Sequence, residues 1–121
     1  MLNTYEKVVD YLKLHKRLEY DIEFYRNKMG GLKAISYTQE EKGTSAADMM
    51  SVYMQKIDDA EAKQKEIEKF IENNFRALDR LLIQERFING KTLNDIGNNI
   101  GYSIQHTKRL INKAIYKYLA K

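Results

Sequence analysis

Side chains able to do covalent chemistry are few in this chain and poorly grouped. There is no cysteine, which excludes thiolate metal sites, cysteine nucleophiles and disulfides. The two histidines, His15 and His106, are far apart in sequence and offer no paired-ligand spacing. Neither a Gly-x-Gly-x-x-Gly nor a P-loop spacing occurs. Ser103 has a histidine three residues on, but a serine ahead of a helix is better explained as its cap. No catalytic residue, cofactor or metal is expected, and the protein is not expected to be an enzyme.

The polar side chains that remain suit noncovalent recognition of an anion. From about Ile104 to Leu119 the spacing predicts a two-faced helix. Thr107, Leu110, Ile111, Ala114, Ile115 and Tyr118 share the side that packs. Gln105, His106, Arg109, Asn112 and Lys113 share the other, with Lys108 and Lys117 at its edges. A guanidinium fork and side-chain amides can bond bidentately to base edges in a major groove. Gln105, His106, Arg109 and Asn112 are therefore the expected base contacts, Arg109 to guanine and Gln105 to adenine. Lys91, Thr92, Ser103, Lys108, Lys113 and Lys117 are the expected phosphate contacts, being cations beside that face or residues at helix starts and turns.

Charge distribution points the same way. The net charge is +4, made of −1 over residues 1–88 and +5 over residues 89–121. The whole basic excess thus sits in the last quarter of the chain, on a patterned segment. Such an excess favours an anionic partner, double-stranded DNA above all.

The elements that must hold this face are marked by glycines, since proline is absent. Ala77, Leu78, Leu81, Leu82, Phe87 and Ile88 predict the apolar face of a helix stopped by Asn89-Gly90. Thr92 with Asp95 forms a capping box for a short helix through Leu93, Ile96, Asn99 and Ile100. Gly101 closes it, Tyr102 bridges, and Ser103 caps the final helix. A short helix, a tight glycine turn and a longer basic helix describe a helix-turn-helix unit.

Upstream, Val8, Tyr11, His15, Leu18, Ile22, Tyr25 and Met29 follow 3- and 4-residue steps, predicting a helix over 4–29. Asn3 with Glu6 is its expected capping box, and Gly30-Gly31 its expected end. Residues 30–47 then form a connecting loop, with Ser45 and Asp48 as a second capping signal. Met50, Tyr53, Ile57, Ala60, Gln64, Ile67, Ile71, Asn74, Leu78 and Leu81 keep a heptad-like seam. Leu12, Leu14, Phe24, Met54 and Phe70 lie off these stripes. The expected fold class is all-α: a long helical hairpin, a coiled-coil-like arm over 1–74, followed by a helix-turn-helix DNA-binding domain over 75–121. Two helices with one stripe each make a poor core alone, so the arm is also expected to mediate homo-oligomerisation. His15, Gln64 and Asn74 interrupt the stripes and are expected to set helix register.

The string Arg86-Phe87-Ile88-Asn89-Gly90-Lys91-Thr92-Leu93-Asn94-Asp95-Ile96-Gly97, followed by Ile100-Gly101-Tyr102-Ser103, resembles the –35-reading C-terminal domain of bacterial sigma factors. The layout of long helix, Gly-rich loop and second long helix ahead of it resembles the phage regulators of the RinA/ArpU/LtrC type. This resemblance implies a sequence-specific transcriptional regulator, an activator of phage or mobile-element late or packaging genes, with RNA polymerase as a further partner. Gly97 and Asn98-Asn99 depart from the Ala and charged residues usual in the short helix, and Thr107 stands where an aliphatic residue is common. Glycine inside a helix costs about 1 kcal/mol relative to alanine, so Gly97 is expected to weaken it.

Composition bounds the remaining classes. Charged residues make up 31% and hydrophobic residues 43% of 121, a mix too apolar for a disordered chain and too polar for a membrane protein. No secretory signal is expected, and a cytoplasmic location is. Two other readings share these features. One is a small terminase subunit binding a packaging site; the other is a protein-interaction module docking on RNA polymerase without touching DNA.

Overall fold

The computed structural model describes residues 2–35 and 46–121. Of these, 87% are helical and none lies in a strand, so the chain is all-α. In order come α1 Tyr5–Ile35, α2 Ala46–Asn74, α3 Ala77–Ile83, α4 Leu93–Ile100 and α5 Ile104–Leu119, with a π-helical turn, Gln84–Ile88, continuing α3. No helix among the described residues is long and apolar enough to cross a membrane.

The chain divides into two compact units, Met1–Lys16 with Lys65–Lys121, and Arg17–Gln64. They part inside α1 and α2 rather than at residues 74/75. The reason is packing: Tyr5 of α1 stacks on Tyr116 of α5 at 5.1 Å between ring centroids, and Phe70 of α2 meets Tyr118 of α5 edge-on at 5.2 Å.

In the first unit α1 is capped by Thr4, not Asn3. The Thr4 hydroxyl accepts the Lys7 N–H at 3.2 Å and its carbonyl the Val8 N–H at 3.1 Å. Val8, Leu12, Ile67 and Ile71 are fully buried. Leu12 therefore belongs to the inner face, although the 3-4 stepping runs through Tyr11. Tyr11 is half-buried and its hydroxyl donates to Glu66 Oε2 at 2.6 Å. The apolar band is wider than one residue per turn, and the larger, polar-tipped side chain takes its edge. Burial and the Glu66 carboxylate push the Tyr11 phenol well above its usual range. His15 is buried with Nε2 2.7 Å from Glu68 Oε2.

Two expectations fail along the arm. α1 does not end at Met29 but runs through Gly30 and Gly31 to Ile35. Neither glycine has positive φ, and a cost of about 1 kcal/mol each weakens a helix without breaking it. Residues 36–45, the centre of the expected loop, and with them the Ser45 cap, lie outside the described residues. The seam of α2 also does not reach Leu81. Arg76 takes an extended conformation (φ −128, ψ 153) and Ala77 a left-handed one (φ 52), so the helix breaks after Asn74. Phe75, off the seam, becomes a core residue at 2% exposure, while Leu78 and Leu81 are exposed at 38% and 45%.

In the second unit Ile22, Ile57 and Ala60 are buried, with Leu18, Tyr25 and Met29 packed on them. Tyr25 stacks on Tyr53 at 5.7 Å, and Arg26 bonds Glu61 at 3.0 Å. Tyr20, Phe24, Val52 and Met54 are exposed.

Candidate nucleic-acid interface

The candidate interface is built from the break after α2 onward. α3 buries Leu82 and Ile83. The apolar face is therefore one residue along from the Leu78–Leu81 pair. The π-helical turn then inserts an extra residue, the Asn89 N–H reaching back to the Gln84 carbonyl at 2.9 Å. This turns Phe87 into the core and leaves Arg86 half-buried, donating to the Lys91 carbonyl at 2.9 Å.

The local hydrogen bonds then follow the sequence closely. Thr92 Oγ1 accepts the Asp95 N–H and Ser103 Oγ the His106 N–H, both at 3.1 Å. Gly101 ends α4 in the left-handed conformation at φ 83, which side chains with a Cβ resist. Its turn is fastened by the Tyr102 N–H to the Gly97 carbonyl at 2.8 Å. α5 buries Thr107, Ile111, Ala114 and Ile115.

The opposite face of α5 keeps Gln105, Lys108, Arg109, Lys113 and Lys117 exposed. His106 is half-buried with its ring edge-on to Tyr102 at 4.5 Å between centroids. Asn112 stands apart from the other base-contact candidates. It is half-buried, and its Oδ1 accepts the Tyr5 hydroxyl at 2.6 Å, which ties it to α1. Two of the phosphate candidates already meet carboxylates: Lys91 is paired with Glu85, and Lys117 Nζ lies 3.5 Å from Asp79 Oδ2. The Lys91 and Asn89 side chains hold the Glu85 carboxyl below its usual range. Thr92 and Ser103 use their oxygens as helix caps, and their hydroxyl protons stay able to donate to an anion.

Three cations from separate elements line one cavity. Lys108 lines a cavity of ≈ 140 Å³ together with Lys13 of α1 and Arg86 of the π-helical turn. No linear spacing links residues 13, 86 and 108, so only folding brings them together. Among the described residues, no group of three or more His, Asp or Glu side chains is placed to hold a metal ion. The chain matches no protein-family model, no curated protein and no solved structure.

Proposed function

We propose that the protein is a sequence-specific DNA-binding transcriptional regulator whose helix α5 enters the major groove. One observation carries this: the segment with net charge +5 folds so that Thr107, Ile111 and Ala114 of α5 are buried while Gln105, Arg109 and Lys113 stay exposed. A buried apolar face with forked and amide donors opposite it is what direct readout of base edges requires. Gln105, His106 and Arg109 are the base contacts in this reading. Lys108 and Lys113 are the strongest phosphate contacts, since Lys91 and Lys117 must first leave Glu85 and Asp79.

The resemblance to sigma-factor –35 readers and RinA/ArpU/LtrC-type regulators supports a role at promoters, with RNA polymerase as a second partner. Exposed Tyr20, Phe24 and Met54 support self-association through the arm. The test is selection of bound fragments from the source genome. Fragments upstream of genes support the regulator; a single packaging-type locus supports the terminase reading; no enrichment supports docking on polymerase alone.

A further inference from the structure

We propose that the cavity between α1, the π-helical turn and α5 binds a small anion with an apolar body, of the aromatic carboxylate class. Its floor is apolar, formed by Val9, Phe87, Leu93 and Ile111. Phe87 and Ile111 are 8% and 4% exposed, so this floor is continuous with the core. Its rim is cationic, formed by Lys13, Arg86 and Lys108, and no acidic residue lines it.

That arrangement differs from three other basic sites of the chain. Arg26, Lys91 and Lys117 each meet a carboxylate. Among the described residues neither Lys13 nor Lys108 does. Three cations converging on one cavity repel one another, and an anion seated among them offsets that repulsion. Arg86 spends one guanidinium N–H on the Lys91 carbonyl and keeps the rest of its fork for a carboxylate. Asn112, which also lines the cavity, gives its oxygen to Tyr5 and keeps its amide N–H groups as donors.

Size and polarity select the ligand. The volume of ≈ 140 Å³ is close to the roughly 150 Å³ apolar cavity that accepts benzene in another protein. A single ring therefore fits over the floor with its carboxylate at the rim. Inorganic phosphate satisfies the rim and leaves the floor wet, and a neutral ring does the reverse. Pockets that bind small molecules combine an apolar lining with a few convergent polar groups in this way.

The test needs no DNA, so its outcome is separate from that of the DNA-binding proposal. The full chain is titrated with benzoate, benzyl alcohol and inorganic phosphate while the methyl resonances of Val9, Leu93 and Ile111 are followed by NMR. Benzoate is expected to give saturable shifts at these methyls, and benzyl alcohol to bind roughly tenfold more weakly. Lys13→Ala and Lys108→Ala, both at exposed positions, should each weaken benzoate about fivefold with circular dichroism unchanged. Absence of saturable shifts overturns the site. Equal binding of benzyl alcohol, or floor-methyl shifts with phosphate equal to those with benzoate, overturns the assigned ligand class.

Discussion

A β-carbon on Gly97 would stand 2.8 Å from Thr107 Oγ1 and 2.5 Å from the Tyr102 carbonyl oxygen, so α5 crosses α4 where a side chain is missing. Thr107 is fully buried, and its hydroxyl donates to the Ser103 carbonyl at 2.8 Å. Gly97 and Thr107, two of the positions that depart from the sigma-like pattern, are thus one packing solution: a threonine satisfied on its own helix, and a glycine that makes room for it. Gly97→Ala gains about 1 kcal/mol of helix propensity but forces backbone and a buried threonine apart, which typically costs about 1–3 kcal/mol. Net destabilisation is expected in urea unfolding. A more stable variant would show that the crossing relaxes freely.

DNA affinity should divide along the two kinds of contact. Arg109→Ala is expected to cost roughly 1–3 kcal/mol on the specific site and relax sequence choice there. Lys113→Ala should weaken specific and non-specific binding alike and lower the salt slope by about one. Lys91→Ala and Lys117→Ala should do less, because each lysine already has a carboxylate. Binding to specific and scrambled duplexes across salt checks this. The recognition-helix assignment is rejected by no duplex binding at low salt, or by an Arg109→Ala protein equal to wild type on every sequence.

Self-association should respond to exposed residues of the arm without loss of helix. Phe24, 53% exposed, is the test position. Phe24→Asp is expected to lower the oligomer fraction in sedimentation at unchanged circular dichroism. Ile57→Asp, at a buried position, should unfold the arm, since an unpaired buried charge costs several kcal/mol. A wild-type monomer at high micromolar concentration would remove the oligomer from the proposal.

Acid should loosen the turn ahead of α4. The Lys91 and Asn89 side chains lower the Glu85 pKa from its ordinary 4.5. A depressed carboxyl contributes stability that is present above pH 4.5 and is lost as pH falls through the folded value. Unfolding free energy measured against pH should therefore fall in acid more steeply for wild type than for Glu85→Gln. Parallel curves would mean that the Glu85 contacts add nothing to folding.

The α2–α3 junction carries backbone strain at Ala77, whose φ is 52. A left-handed conformation costs an L-residue roughly 1–2 kcal/mol, part of which glycine returns as its own entropy loss. Ala77→Gly is expected to raise stability by up to about 1 kcal/mol, and Ala77→Val to lower it. Thermal unfolding of the two variants gives the sign, and a destabilised Ala77→Gly would refute it.

Features that depend on bonds three or four residues long are legible in the sequence. The Thr92–Asp95 and Ser103–His106 caps, the Gly101 turn and the limits of α5 at Ile104 and Leu119 are of this kind. A capping hydroxyl and its amide are joined by the chain, so little else can intervene. Whether a face is buried depends instead on what arrives from elsewhere. Leu12 displaced Tyr11 from the inner face, and the break before α3 buried Phe75 against Tyr118 of α5 while leaving Leu78 and Leu81 exposed. The continuation of α1 past Gly30-Gly31 was illegible for a related reason: a glycine lowers helix propensity without dictating a turn. Asn112 met Tyr5 across 107 residues, and Lys13, Arg86 and Lys108 came to line one cavity. No local preference encodes such meetings; tertiary packing alone brought these residues together.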